Sequence, residues 1–199
     1  MAAETLGDWR PLTPEQAHER LRALTSPWWI AGGHAIDLFL GVRTRAHTDL
    51  DVGLFRDGQA EIFSALHGWE IHAAVNGRLR LLAAGETLRR GEHGLWCRPG
   101  AALPWALELM VNERDGADWV YRRDPEVRRP LDHVVLHDSR GIPYLAPEVQ
   151  LLFKSKGRRP RDEQDLDVVL PRLDAGRREW LRAQLRRADP AHPWLRRLG

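Results

Sequence analysis

In "RTRAHTDLDVGLF", residues 43–55, apolar and polar positions alternate. Leu50, Val52 and Leu54 fall on one face of a strand, and Asp49 and Asp51 share the other. Upstream, "LTPEQAHERLRAL" carries the marks of a helix start. Thr13 is the N-cap, Pro14 the first helical residue and Gln16 completes a capping box, so a helix is predicted to about Leu24. "WWIAGG" reads as a short apolar strand ending in two glycines, and "HAIDLFLG" as a short helix stopped by Gly41. Downstream, "QAEIFSAL" has helical periodicity, while "WEIHAAV", "RLRLLAA", "HGLWCRP" and "PWALELMVNE" read as strands divided by Gly- and Pro-bearing turns. From Pro147 on the period turns helical in "PEVQLLFKSKG", "RDEQDLDVVLPRL" and "GRREWLRAQLRRAD". The expected class is α/β (α+β): a mixed sheet flanked by helices over residues 1–146 and a C-terminal helical region over 147–199.

The length of 199 residues fits one core of this kind. There is no apolar run approaching ~18 residues and no N-terminal apolar region, so neither a membrane span nor a signal peptide is expected, and the protein reads as soluble and cytoplasmic. The single cysteine, Cys97, excludes an internal disulfide and any multi-cysteine zinc site. Charge is divided unevenly: residues 154–199 hold 13 Lys+Arg against 7 Asp+Glu, leaving 17 against 21 before them. A basic helical tail is one route to nucleic acid, but Arg-rich solvated helix faces are commoner. Only two of the 30 basic residues are lysines, Lys154 and Lys156. A lysine is a compact, mobile point charge suited to a phosphate chain, although lysine at a helix C-terminus is also favoured by the helix dipole.

Two aspartates on one strand face repel unless a cation joins them, and carboxylates together with substrate phosphates are how proteins usually hold Mg²⁺. Glu108 interrupts the apolar run from Trp105 to Val111 and needs a partner. If its strand lies beside the aspartates it completes a three-carboxylate cluster; a salt bridge to an arginine is the alternative. Gly32 and Gly33 allow close backbone approach, and the helix after them presents free N–H groups to an anion. A tight turn needing glycine only for its backbone angles is the bland reading.

The ordered set "GGHAID", "RAHTDLDV", "ELMVNE" and "KSKGRRPRDEQDLDVVLPRL" resembles the antibiotic nucleotidyltransferases of the DNA polymerase β superfamily, in particular the aminoglycoside 2″-adenylyltransferase and lincosamide nucleotidyltransferase group, over roughly residues 28–173. The resemblance implies a polymerase β-like nucleotidyltransferase core. It makes Asp49 and Asp51 the Mg²⁺ ligands and Glu108 the third acid, ligand or general base. Gly32 and Gly33 would lie under the phosphates of a nucleoside triphosphate, ATP by the family's name, with Arg45, His47 and Lys154 as phosphate contacts. His47 has a second reading as a structural hydrogen-bonding residue. Asp37, Asp162 and Asp165 match family positions, with caps or salt bridges as open as substrate contact. His34 stands where the group commonly has tryptophan, and Arg161 where it commonly has lysine.

The implied reaction moves a nucleoside monophosphate, AMP for an adenylyltransferase, to a hydroxyl of a small-molecule acceptor such as an aminoglycoside or lincosamide. Transfer to tRNA or protein, held by the basic C-terminal helices, and a non-catalytic nucleotide-binding module are the alternatives. Either a monomer or a homodimer is compatible with the nine tryptophans, which include the pair Trp28 and Trp29.

Overall fold

The structure, a computed structural model, describes residues 6–199. Helix α1 (Pro14–Leu21) opens on the expected capping box at Thr13 and Gln16. It stops short of Leu24 because Glu61 draws the chain away, accepting from the Thr25 amide at 2.7 Å and from the Ser26 hydroxyl. Strand β1 (Trp28–Ile30) leads into α2 (Gly32–Leu40), which ends on Gly41 in the left-handed conformation. The two glycines expected as a turn are therefore the first residues of the helix itself.

Strand β2 (Asp51–Phe55) begins at the second aspartate, so Asp49 sits just ahead of the strand instead of within it. The helix expected over "QAEIFSAL" is divided: its first three residues close a 3₁₀ segment, Arg56–Glu61, and only the single turn α3 (Ile62–Ala65) follows. The buried Gln59 explains the tighter winding: its amide bonds back to the Arg56 carbonyl and its oxygen accepts from the Leu88 amide. The predicted strands appear as β3 (Glu70–Val75), β4 (Arg78–Leu81), β5 (Gly94–Arg98) and β6 (Leu107–Asp115).

Four three-residue strands follow that the periodicity did not reveal: β7 (Asp118–Val120), β8 (Arg128–Pro130), β9 (Val135–His137) and β10 (Pro143–Leu145). Segments of three residues are too short to display a period of two. Helices α4 (Pro147–Ser155), α5 (Pro160–Val169) and α6 (Ala175–Ala188) complete the chain, as the helical pattern after Pro147 predicts.

The main sheet runs β4-β3-β5-β6-β2-β1-β10-β9, with β7 and β8 continuing from the far end of β6. It is mixed: β2 lies parallel to β6 and β1 parallel to β10, while β1 and β2 are antiparallel. One face is sealed by Leu50, Val52, Leu54, Leu107, Leu109 and Val111, all buried. The other face carries the polar members of the same strands. Among the described residues no helix is long and apolar enough to cross a membrane.

Helix α4 is buried along most of its length and holds Glu148 at zero exposure. Arg129 from β8 and Arg177 from α6 reach it at 2.7 and 2.9 Å, so one carboxylate ties three elements. Breaking a buried ion pair from one side leaves uncompensated charge, at a cost of roughly 3–5 kcal/mol. Glu148→Ala is expected to lower the melting temperature by about 10 °C for a chain of this size. Thermal unfolding followed by circular dichroism measures it, and an unchanged midpoint would remove Glu148 from this role.

Candidate active site

The parallel pairing of β2 with β6 places Asp51 directly opposite Glu108. The Glu108 amide donates to the Leu50 carbonyl at 2.9 Å, and the Ala31 amide donates to the Asp51 carbonyl at 2.8 Å, so three chain segments meet at this point. Both carboxylates line a cleft of about 430 Å³, bounded by Gly32, Gln150, Lys154 and Arg159 on one side and by Gly94 and Met110 on the other. Among the described residues neither carboxylate makes an ion pair. Burial and then the charge of Asp49 push the Asp51 carboxyl up to about 6, against the opposing pull of Lys154, Arg161 and Arg159. Burial and then Asp51 push Glu108 up to about 7, against a hydrogen bond from Trp96. The three predicted acids are thus brought close enough to feel one another, with Asp49 half-buried at the mouth of β2.

Asp51 and Glu108, facing each other, raised in pKa and without a cationic partner, are the kind of donor set that a hard divalent cation completes. Asp49, Asp51 and Glu108 fit such an ion in chemistry. The one trio of ligating side chains whose donor atoms all lie within 4.8 Å of one another, among the described residues, is elsewhere: His34, Asp37 and His47. There His47 Nε2 is 2.6 Å from Asp37 Oδ2, and Asp37 Oδ1 accepts from the Thr44 amide and hydroxyl at 2.9 and 2.7 Å. Burial would raise the Asp37 carboxyl, but the bonds from Thr44 and His47 outweigh it and hold it low. His34, whose ring lies 4.1 Å from the His47 ring and tilted to it by 40°, is pushed down to about 4 by burial and by His47, and is neutral at pH 7.

Two of the predicted phosphate contacts are occupied by the protein. Arg45 grips Asp165 through Nε and Nη2 at 3.1 and 3.2 Å, and its Nη1 reaches the Ala46 carbonyl and His47 Nδ1. With Arg45 donating to Nδ1, the Nε2–H of His47 donates to Asp37 Oδ2. Neither Arg45 nor His47 lines the cleft. Their crossing explains Gly33: a Cβ there would run into the Arg45 guanidinium and the His47 ring. Gly32, at φ +66°, packs against Asp51 so closely that a Cβ would strike its carboxylate. Of the two glycines, Gly32 faces the cleft, and its amide donates to Gln150 Oε1 at 2.8 Å.

Lys154 reaches the cleft from α4 at 7% exposure, with Asp165 at 2.7 Å and Asp162 at 3.5 Å behind it. Asp162 and Asp165 have no measurable exposure. Burial alone would raise Asp162, but the hydrogen bonds from Arg159 and the charge of Lys154 keep it low. Their family-matched positions thus serve as the anionic back of a cationic wall. Sequence reasoning missed Gln150 and Arg159, which line the cleft, and Trp96, which stands opposite Glu108 on β5. Arg159 sits in the singled-out "KSKGRRPRDEQD" and could have been taken with Lys154, whereas nothing local marks Gln150 or Trp96. Part of the tail's positive charge is paired within the protein, with Arg177 on Glu148, Arg187 on Asp124 and Arg197 on Glu163.

Residues 15–170 match the family model described as aminoglycoside-2″-adenylyltransferase. No curated protein matches the chain in sequence. Among solved structures, the chain is similar to ANT(2″)-Ia in complex with adenylyl-2″-tobramycin, at a TM-score of 0.58 and 16% identity over 88% of this chain and 97% of that one. It is also similar to the lincosamide antibiotic adenylyltransferase LnuA, lincomycin-bound, at 0.55 and 17% over 79% and 96%. The fold is the polymerase β-like nucleotidyltransferase fold.

The raised carboxylates have a thermodynamic consequence. In the unfolded chain they ionise near their ordinary values, and in the folded chain only near 6 and 7. Stability they confer is therefore complete below the unfolded values and is lost as pH rises through the folded ones. Relative to Asp51→Asn, the metal-free protein should lose melting temperature between about pH 4 and pH 7, and Mg²⁺ should restore it at the upper end only. A pH-independent difference between the two proteins, by scanning calorimetry, would contradict the site's electrostatics.

Proposed function

This chain belongs to the aminoglycoside-2″-adenylyltransferase family of nucleotidyltransferases, and from that premise we propose that it transfers a nucleoside monophosphate, AMP from ATP, to a hydroxyl group of an antibiotic-like small molecule. The observation that carries the reading is the facing pair Asp51 and Glu108, raised in pKa and left without a cationic partner, beneath a wall formed by Lys154 and Arg159.

Asp49, Asp51 and Glu108 would hold Mg²⁺, which when bound neutralises triphosphate charge and makes the acceptor hydroxyl more acidic. The protein supplies positioning. The start of α2, where Gly32 lines the cleft, favours the negative charge of the triphosphate. Lys154 and Arg159 add positive charge on the same wall, and Asp162 and Asp165 keep them pointed there. Arg161, whose charge also reaches Asp51, makes no ion pair among the described residues and is available to the phosphates. Glu108 accepts the acceptor's proton as its oxygen attacks the α-phosphorus and the bond to the departing pyrophosphate breaks.

The acceptor class is read from the family and from the neighbours. One neighbour's structure contains adenylyl-2″-tobramycin and the other lincomycin, both carrying hydroxyl-bearing rings. Pyrophosphate release from each nucleoside triphosphate with Mg²⁺, against aminoglycosides, lincosamides and bulk tRNA, tests the proposal directly. ATP with one of the small molecules should support turnover. Asp51→Asn and Glu108→Gln should each lower kcat on the order of 10³-fold, since positioning and charge compensation dominate phosphoryl chemistry. Near-normal turnover in Asp51→Asn would overturn the mechanism, and release with tRNA alone would overturn the acceptor class.

A further inference from the structure

The open face of the sheet does not end at Glu108. Cross-strand register continues the row outward, with Glu108 opposite Trp96 on β5 and Trp96 opposite His72 on β3. Side chains so paired share one face. Trp96 is half-buried and stands directly across from Glu108 on the adjoining strand, where its indole eases the Glu108 carboxyl downward against the pull of burial. The half-buried Trp9, carried by the segment that runs alongside Trp105, meets Trp96 edge to face at 5.0 Å. Trp105 closes the group from beneath, 5.6 Å from Trp96, with Arg98 over its ring. The charges beside this group are matched internally, since Glu70 accepts from Arg98 at 2.8 Å and from His72 at 3.2 Å.

We propose that Trp96, supported by Trp9, is the acceptor platform of this enzyme, taking the C–H face of a sugar or cyclitol ring whose neighbouring hydroxyl then lies at Glu108. The inference rests on the nucleotidyl-transfer reading. Whatever gives a proton to Glu108 must lie within hydrogen-bond reach of it, and Trp96 is its partner on the adjoining strand. The triphosphate side of the cleft lies the other way, toward Gly32 and Lys154. An indole face flanked by self-neutralised charges suits the apolar face of a glycoside better than a row of ammonium groups, which needs carboxylates of its own. Trp96 would then seat the acceptor with its ring, one strand over from the carboxylate that takes the proton.

The substitutions Trp96→Phe and Trp96→Ala separate the ring from the rest. Loss of the ring should raise the acceptor's KM about tenfold and leave the KM for ATP unchanged, while Trp96→Phe should stay within about twofold in acceptor KM. Turnover with an unchanged acceptor KM in Trp96→Ala would overturn the platform while leaving the transfer reading intact. A second readout is independent of turnover and of how Trp96→Ala folds. The indole N–H resonance that is missing in Trp96→Phe belongs to Trp96, and in the wild-type protein it should move when an aminoglycoside or a lincosamide is added and stay put with ATP alone. If no acceptor supports pyrophosphate release, the transfer reading fails, and this resonance still decides the platform: movement with a glycoside supports it, and no movement with either compound overturns it.

Discussion

Parallel pairing of β2 with β6 sets Asp51 against Glu108, and much of the surrounding structure answers that constraint. Two carboxylates on adjacent strands, partly removed from water, resist ionising together, which is why both are held well above the ordinary range. A protein seeking only stability would place an arginine between them. Here the arginines stop short: Arg159 turns to Asp162, Arg45 to Asp165, and the carboxylates are left facing the cleft.

The bracing around the pair is correspondingly rigid. Asp165 takes Arg45 in a two-pronged grip and Lys154 in a single short contact, so α5, α4 and the loop before β2 share one buried anion. Arg45 passes the constraint on to His47, which passes it to Asp37 on α2. The loop that carries Asp49 is thereby fixed from both sides, without Arg45, His47 or Asp37 entering the cleft. Gly33 is the steric condition for this crossing, and Gly32 the condition for Asp51 to lie against the start of α2.

Much of this was legible in the sequence, for reasons that can be located. The alternation through Leu50, Val52 and Leu54 revealed the β2 strand and its acid face, and the apolar run around Glu108 revealed its partner, because long strands with one sealed face must alternate. The ordered motifs pointed to the aminoglycoside 2″-adenylyltransferase group before any coordinates, and the family assignment agrees. What failed to show was whatever depends on distance along the chain. Strand β10 has three residues and lies beside β1 through a single parallel register, so its place in the sheet has no local signature. That Arg45 meets Asp165, 120 positions away, is likewise a product of packing. Sequence could present Arg45 and His47 as basic residues near an acidic pair, but not that they are held by acids of their own.

Divalent-cation binding at Asp51 and Glu108 tests the account most directly, because the cluster of His34, Asp37 and His47 supplies a contrasting site in the same molecule. Electron paramagnetic resonance of Mn²⁺ titrated into the protein, as a spectroscopic substitute for Mg²⁺, would count bound ions in the wild type, in Asp51→Asn and in His34→Ala. The account predicts a bound population that disappears in Asp51→Asn and survives in His34→Ala. Binding that survives in Asp51→Asn and disappears in His34→Ala would contradict it.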